Sequence, residues 1–270
     1  MLKKMVKGPI IGVVGGVGPL AGTLYQQLII RNTIANKDPD HLTVIHVSDS
    51  ADVNDRSEYL KCIADPSMPQ LSNPGTVMGQ IANGVSEHAK FINRSAILCV
   101  PCNTFHSPPI FSVYEKTIMD FCKENNRLEG PGSVQIVHLI NSTVEYVKAK
   151  GYTTIGVTST TGTRNGGIYR KPFEESGIKV VEVDDQELIH ESIYNSEFGA
   201  KALSGPSPRS REIMENACKE LKAKGAQGVI LGCTELPIII DETKLYDIDM
   251  IDPMAVMARK AIALADASKL

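Results

Sequence analysis

The sequence predicts a parallel α/β fold, and three features carry that prediction. Short runs rich in Val and Ile alternate with helix-length patterns from one end to the other. The runs lack polar alternation, as strands covered on both faces should. The two halves of the chain also share a weak internal repeat. The expected strands are Ile10–Val14, Thr43–Val47, Ala96–Val100, Val134–Val137, Thr154–Thr158, Lys179–Val183, Gly228–Leu231 and Asp249–Ile251. Leu20 to Asn36 reads as an amphipathic helix after the first strand. Asn73 followed by Pro74 opens another, by the preference for Asn at the N-cap and Pro at the first helical position. The segment Ser210 to Lys224 reads as a helix stopped by Gly225. Asn125–Ser133, with two glycines and a proline, is a linker or a surface loop.

The repeat gives the domain plan. Ile11-Gly12-Val13 and Ile155-Gly156-Val157 begin matching strands, which run into the small-residue turns Val14–Gly18 and Thr158–Gly162. Later in each half an apolar strand leads to a cysteine and a polar pair, Cys102-Asn103-Thr104 and Cys233-Thr234-Glu235. Offsets of this length suit a duplicated domain rather than a solenoid. The expectation is two pseudo-symmetric parallel-sheet α/β domains with the active site in the cleft between them, where strand carboxyl ends bind ligands. Residues 1–112, joined by 242–270, are assigned to the first and 113–241 to the second.

Composition narrows the functional class. The 270 residues carry 28 Lys+Arg against 31 Asp+Glu, a net charge of −3, and no basic run exceeds two residues. That balance speaks against nucleic acid or a membrane surface as partner. Met1 to Lys7 followed by an apolar run resembles a signal sequence, but Gly15-Gly16-Val17-Gly18-Pro19 ends the run at strand length. No apolar stretch reaches the ~20 residues of a membrane span. Six cysteines in so long a chain are too sparse for a disulfide scaffold, so a reducing cytoplasm is expected.

Cys102 and Cys233 are the residues to watch. Each ends an apolar strand and precedes an expected helix N-terminus, where unpaired N–H groups and the dipole favour a thiolate. Cys62, Cys99, Cys122 and Cys218 read as buried small hydrophobes. Cys99-Val-Pro-Cys102 is a C-x-x-C, but Cys99 falls inside a strand and no second such motif completes a zinc site. His106 could pair with Cys102 as a nucleophile's base, which leaves Cys233 unexplained. Gly16, Gly18 and Gly22 miss the spacing of a dinucleotide turn. Two opposed thiols suit proton transfer at a carbon stereocentre: one thiolate removes the proton from one face, and the other thiol delivers one to the opposite face. Donors at both expected helix N-termini would have to stabilise the developing carbanion.

Six segments in order carry a resemblance: Gly15–Ala21, Asn54-Asp55-Arg56-Ser57, Pro101–His106, Thr161-Gly162-Thr163, Tyr169–Phe173 and Leu231–Pro237. With them the chain resembles the aspartate/glutamate racemases, the cofactor-independent amino-acid racemases. The Glu235-Leu236-Pro237 ending is similar to the aspartate racemase branch. The resemblance implies two α/β domains, Cys102 and Cys233 as paired acid and base, and neither pyridoxal phosphate nor metal. It implies that Arg56 and Lys171 bind substrate carboxylates, while Asn103, Thr104, Thr234 and the backbone at Phe105 hold the α-carboxylate and amino group. Glu235 joins this substrate-binding set. Arg56 suits the part because its planar fork pairs a carboxylate bidentately. Phe105 stands where a smaller or more flexible side chain is usual, which bears on side-chain preference. The expected partner is an acidic amino acid, and the expected assembly a homodimer.

The leading reading is therefore interconversion of L- and D-aspartate or glutamate. Alternatives are a broader amino-acid racemase, a related diacid isomerase or decarboxylase, and an amino-acid-binding protein with the same cleft. Binding alone needs neither thiol.

Overall fold

The computed structural model describes residues 8–270, so Met1 to Lys7 lie outside the described residues. The chain divides into two compact units. The first takes residues 8–101, Pro108–His138 and Met257–Leu270, and the second Cys102–Ser107 and Leu139–Val256.

The first unit is built on strands β1 (Ile10–Gly15), β2 (Val44–Ser48), β3 (Ala96–Cys99) and β4 (Val134–Val137), in the order β2-β1-β3-β4. All pairs are parallel, with Gly12 opposite Ile45 on one side and Leu98 on the other. The second unit holds β5 (Thr154–Ser159), β6 (Lys179–Glu182), β7 (Gly228–Gly232), β8 (Lys244–Leu245) and β9 (Ile248–Ile251). Their order is β6-β5-β7-β9-β8, parallel except for the β8–β9 hairpin at the edge. Apart from that edge strand the two sheets share one strand order, which is the internal repeat in three dimensions.

Gly12 and Gly156, the central residues of the repeated Ile-Gly-Val, owe their identity to the same packing. A Cβ on Gly12 would meet Val85 Cγ1 at 2.7 Å, from helix Pro74–Phe91. A Cβ on Gly156 would meet Leu221 Cδ1 at 3.0 Å, from helix Pro208–Ala223. In each unit a helix side chain therefore lies so close to the strand that a Cβ on the glycine would press against it. Gly16, just past β1, has φ +100, and a Cβ there would sit 2.3 Å from Asp49 O. No side chain fits that turn.

The helices start where local chemistry dictates. Asn73 accepts from Gly75 N with Pro74 at the first helical position, as the sequence predicts. Helix Pro208–Ala223 begins slightly before the expected Ser210, because Ser207 and Ser210 form a reciprocal capping box. It ends at Lys224, with Gly225 at φ +91. The first helix, Pro19–Asn32, stops four residues short of Asn36.

The unit boundaries differ from those read in the sequence, for a packing reason. Helix Pro108–Glu124 lies on helix Pro74–Phe91 at the small residues Gly75 and Gly79, where added Cβ atoms would meet Ile110 O at 2.4 Å and Thr117 Cβ at 2.6 Å. The following strand, β4, pairs with β3, so residues 113–138 belong with the first unit. The segment Asn125–Ser133 is a loop within that unit, anchored by the buried Arg127, which pairs with Glu87. At the other end, β9 pairs with β7, so residues 242–256 belong with the second unit. The C-terminal helix Pro253–Asp266 joins the first from Met257 on. Among the described residues no helix is long and apolar enough to cross a membrane.

Candidate active site

The second unit gathers both candidate thiols. Cys233 follows β7, and Cys102 heads the short segment Cys102–Ser107 that groups with this unit. Both are buried, at 8% and 7% exposure, and neither is in a disulfide. The expected helices after them are short: a three-residue turn, Thr104–His106, and a four-residue helix, Leu236–Ile239. A strong dipole is not available to either thiol. Instead, side chains set the electrostatics.

Cys233 Sγ donates to Glu235 Oε2 at 2.9 Å, and Thr234 Oγ1 donates to the same oxygen at 2.9 Å. The other carboxylate oxygen, Oε1, lies 3.4 Å from Lys201 Nζ. That ammonium also sits 4.7 Å from the centre of the Tyr194 ring. Burial pushes the Cys233 thiol well above its ordinary range, the Glu235 carboxylate adds to the shift, and Lys201 opposes it. The helix-dipole expectation of a lowered Cys233 pKa is thus reversed, because desolvation and an adjacent anion outweigh a one-turn helix. For Lys201, burial works against the charge, but the Glu235 carboxylate and the two thiols, Cys233 and Cys102, hold it above the usual ammonium range. This lysine is within electrostatic reach of both thiols.

The Cys102 side is held by neutral hydrogen bonds. His106 Nδ1–H donates to the main-chain oxygen of Cys102 at 2.8 Å, which ties the segment to itself. Asn103 is buried, and its Oδ1 accepts from the Tyr169 hydroxyl. Thr104 Oγ1 and Thr163 Oγ1 are 3.1 Å apart, and Thr163 continues to Thr160 at 3.1 Å. Tyr169 is fully enclosed; burial raises its pKa well above the phenol range, and the charges of Asp252, Cys233 and Cys102 add to that. Asp252, next to the C-terminal helix, accepts from Met254 N at 2.8 Å; burial pushes its carboxyl up to about 6.

Of the residues singled out in the sequence, Cys102, Asn103, Thr104, Cys233, Thr234 and Glu235 all belong to this unit; Asn103, Thr104 and the Cys233–Thr234–Glu235 group each sit in a separate hydrogen-bonded cluster. Phe105 is 0% exposed, with its ring edge-on to His106 at 6.0 Å, so its side chain fills the interior. Arg56 is half-buried at the start of helix Arg56–Ala64 in the first unit, with Asp55 capping that helix. Lys171 is exposed in helix Arg170–Glu175, its aliphatic chain lying over the Gly167 turn. Lys201, which sequence reasoning missed, is the lysine paired with Glu235. Cys99 lies in β3, and burial pushes its thiol up to about 12, which makes it a poor redox partner for Cys102.

Solved structures share the architecture. An aspartate racemase of Picrophilus torridus is 22% identical, with 97% of this chain and 96% of that one covered and a TM-score of 0.70. An aspartate racemase homologue of Pyrococcus horikoshii OT3 is 22% identical, with 95% and 98% covered and a TM-score of 0.68. Glutamate racemase of Francisella tularensis subsp. tularensis, solved with D-glutamate, is 18% identical, with 97% and 82% covered and a TM-score of 0.56. At these identities the likeness defines the fold, that of the α/β amino-acid racemases. The sequence profile of the Asp/Glu/hydantoin racemase family matches residues 14–261, and the chain belongs to that family. As a member it is an isomerase, a racemase.

Proposed function

We propose that the protein racemises an acidic amino acid, aspartate or glutamate, by proton transfer at the α-carbon between Cys102 and Cys233. The observation that carries the reading is the pair of buried thiols grouped in one unit, with the Cys233 proton directed onto Glu235. The mechanism needs one thiolate and one thiol at a time. Cys233, raised by burial and by Glu235, rests protonated. In the direction that uses Cys233 as the acid, a deprotonated Cys102 takes the α-proton while Cys233 gives its proton to the opposite face. The turnover leaves Cys102 protonated and Cys233 as thiolate, the form that works in the other direction. Lys201 is placed to stabilise that thiolate through its proximity to the Glu235 and Cys233 pair. The carbanion formed in between delocalises into the substrate's α-carboxylate, and donors such as Asn103 and Thr104 meet the charge that develops there. Lys201 is the cation assigned to a substrate carboxylate, taking the part the sequence suggested for Lys171.

The test is incubation of the protein with L-aspartate, L-glutamate, L-alanine and L-methionine in D2O. The expected result is loss of optical rotation with uptake of α-deuterium for the acidic pair. Preference for alanine or methionine over both acidic substrates would overturn the diacid assignment. The absence of α-deuterium uptake from every amino acid would overturn the racemase reading itself.

A further inference from the structure

Gly232, the residue before Cys233, is glycine for a reason that involves Tyr169. A Cβ there would lie 2.8 Å from Thr158 O and 2.9 Å from Tyr169 Cε2. The phenol ring rests on the end of β7 at that point, with the Phe173 ring stacked at 6.2 Å and 18°. From this seat the hydroxyl reaches the Cys102 segment and donates to Asn103 Oδ1. One side chain thus bridges the strand end that carries one thiol and the loop that carries the other.

A side-chain amide has an acceptor end and a donor end, and nothing in its shape distinguishes them. The phenol proton decides. Tyr169 is buried, so its O–H needs an acceptor, and only the amide oxygen can accept. With the amide turned round, the phenol oxygen would receive Nδ2–H, and the phenol's own proton would lose the partner it has now. We propose that Tyr169 is a positioning residue: it holds Asn103 Oδ1 so that the amide presents its Nδ2–H donors, not its oxygen, to the substrate. The Asn103 subsite then accepts a carboxylate and rejects the ammonium group. This rests on the proposed reading that Asn103 meets a substrate carboxylate, and it adds the residue that fixes which end of the amide faces the ligand.

The experiment measures binding of succinate, an unreactive dicarboxylate without an amino group, to the full chain by titration calorimetry. The variants are Tyr169→Phe, Asn103→Ala, the double variant, and Asn103→Asp. Tyr169→Phe keeps the ring on Gly232 and Phe173 and removes only the hydroxyl. It should weaken succinate by about tenfold to a hundredfold, the range of one hydrogen bond to a charged group. The double variant should bind no more weakly than Asn103→Ala, because a residue acting through another has no effect once that other is gone. Asn103→Asp keeps an acceptor for Tyr169 but offers the ligand only oxygen, and it should lose succinate binding. Wild-type affinity in Tyr169→Phe, or losses that multiply in the double variant, would overturn the inference, and so would an absence of succinate binding by the wild type. If Tyr169→Phe fails to fold, retention of succinate by Asn103→Asp is the overturning result. A wild type that racemises no amino acid while the succinate cycle holds refutes the activity and leaves the amide assignment standing. Racemisation of aspartate alongside a multiplicative cycle refutes the assignment alone.

Discussion

Replacing Glu235 with Gln tests the electrostatics of the Cys233 thiol directly. The carboxylate accepts the thiol proton at 2.9 Å and is 3.4 Å from Lys201, so it both holds that proton and offsets the lysine's charge. Gln keeps the size and a hydrogen-bonding oxygen but removes the negative charge. Two effects then act in one direction: the thiol loses an anionic acceptor, and Lys201 is no longer offset. Glu235 raises the Cys233 pKa, so its neutralisation must lower it. A hydrogen bond to a charged group contributes roughly 1.5–3 kcal/mol. At 1.36 kcal/mol per unit, the fall is about one to two pKa units. The assay is the rate of iodoacetamide modification at Cys233 against pH, read by peptide mapping, with Cys102 in the same molecule as internal reference. The expected result is a Cys233 profile displaced to lower pH and a Cys102 profile displaced less. An unmoved Cys233 profile, or one displaced upward, would refute the argument that the carboxylate keeps this thiol protonated.

Three further expectations follow from the same geometry. Cys102→Ala and Cys233→Ala should each abolish racemisation, yet each should keep α-proton exchange of at most one enantiomer in D2O, since the surviving thiol faces one side; full racemase activity in either would exclude two-thiol transfer. Lys201→Ala should cut kcat/KM for aspartate by about tenfold to a few hundredfold, given roughly 1.5–3 kcal/mol for a charged hydrogen bond, whereas Lys171→Ala, at an exposed site, should stay within about twofold. The reverse ranking would restore Lys171 to the site. Leu221→Ala, which empties the fully buried side chain lying on Gly156, should lower unfolding free energy by about 2–5 kcal/mol in denaturant titration. A loss below about 1 kcal/mol would contradict the close helix–strand seat.

Sequence pattern was a good guide to the sheets because a buried parallel strand is a local signal. Every expected strand is present to within about a residue at each end. The one strand missed, β8, has two residues and turns into β9 through Tyr246 and Asp247, both at positive φ, 50 and 62. That is the conformation which Asn-Gly or Asp-Gly usually signals, and Tyr-Asp gives no such signal. The domain boundaries were harder, since Gly75 and Gly79 look like weak helix formers until the helix that covers them is seen. In the candidate site, the cysteines and their polar neighbours stand out in the sequence as repeated motifs. Lys201 does not: it sits in a four-residue helix, Ala200–Leu203, with no periodicity and no motif around it. Lys171 was legible because it lies in a recognisable segment, although sequence proximity to a motif says nothing about where a long side chain ends. Tyr169 lay in the same segment, and its bond to Asn103 spans 66 positions of sequence.

The duplicated sequence contexts of Cys102 and Cys233 suggest equivalent thiols, and the structure makes them unequal. Glu235 bonds the Cys233 thiol, while the segment after Cys102 carries the neutral Asn103 and Thr104 where Thr234 and Glu235 follow Cys233. A racemase cannot express such asymmetry in every parameter. L and D forms have equal free energy in water, so the equilibrium constant is unity and kcat/KM must be the same in both directions. The bias toward protonated Cys233 must therefore appear in kcat and KM separately. Under the proposed two-thiol transfer, one enantiomer uses Cys233 as the acid, the form burial and Glu235 favour, whereas the other needs Cys233 deprotonated first. The second enantiomer should thus show the stronger pH dependence of kcat, and Glu235→Gln should bring the two profiles together. Initial rates from pure L- and pure D-substrate across pH decide this. Superimposed wild-type kcat profiles would mean that Glu235 does not bias the resting form, whatever its distance from the sulfur.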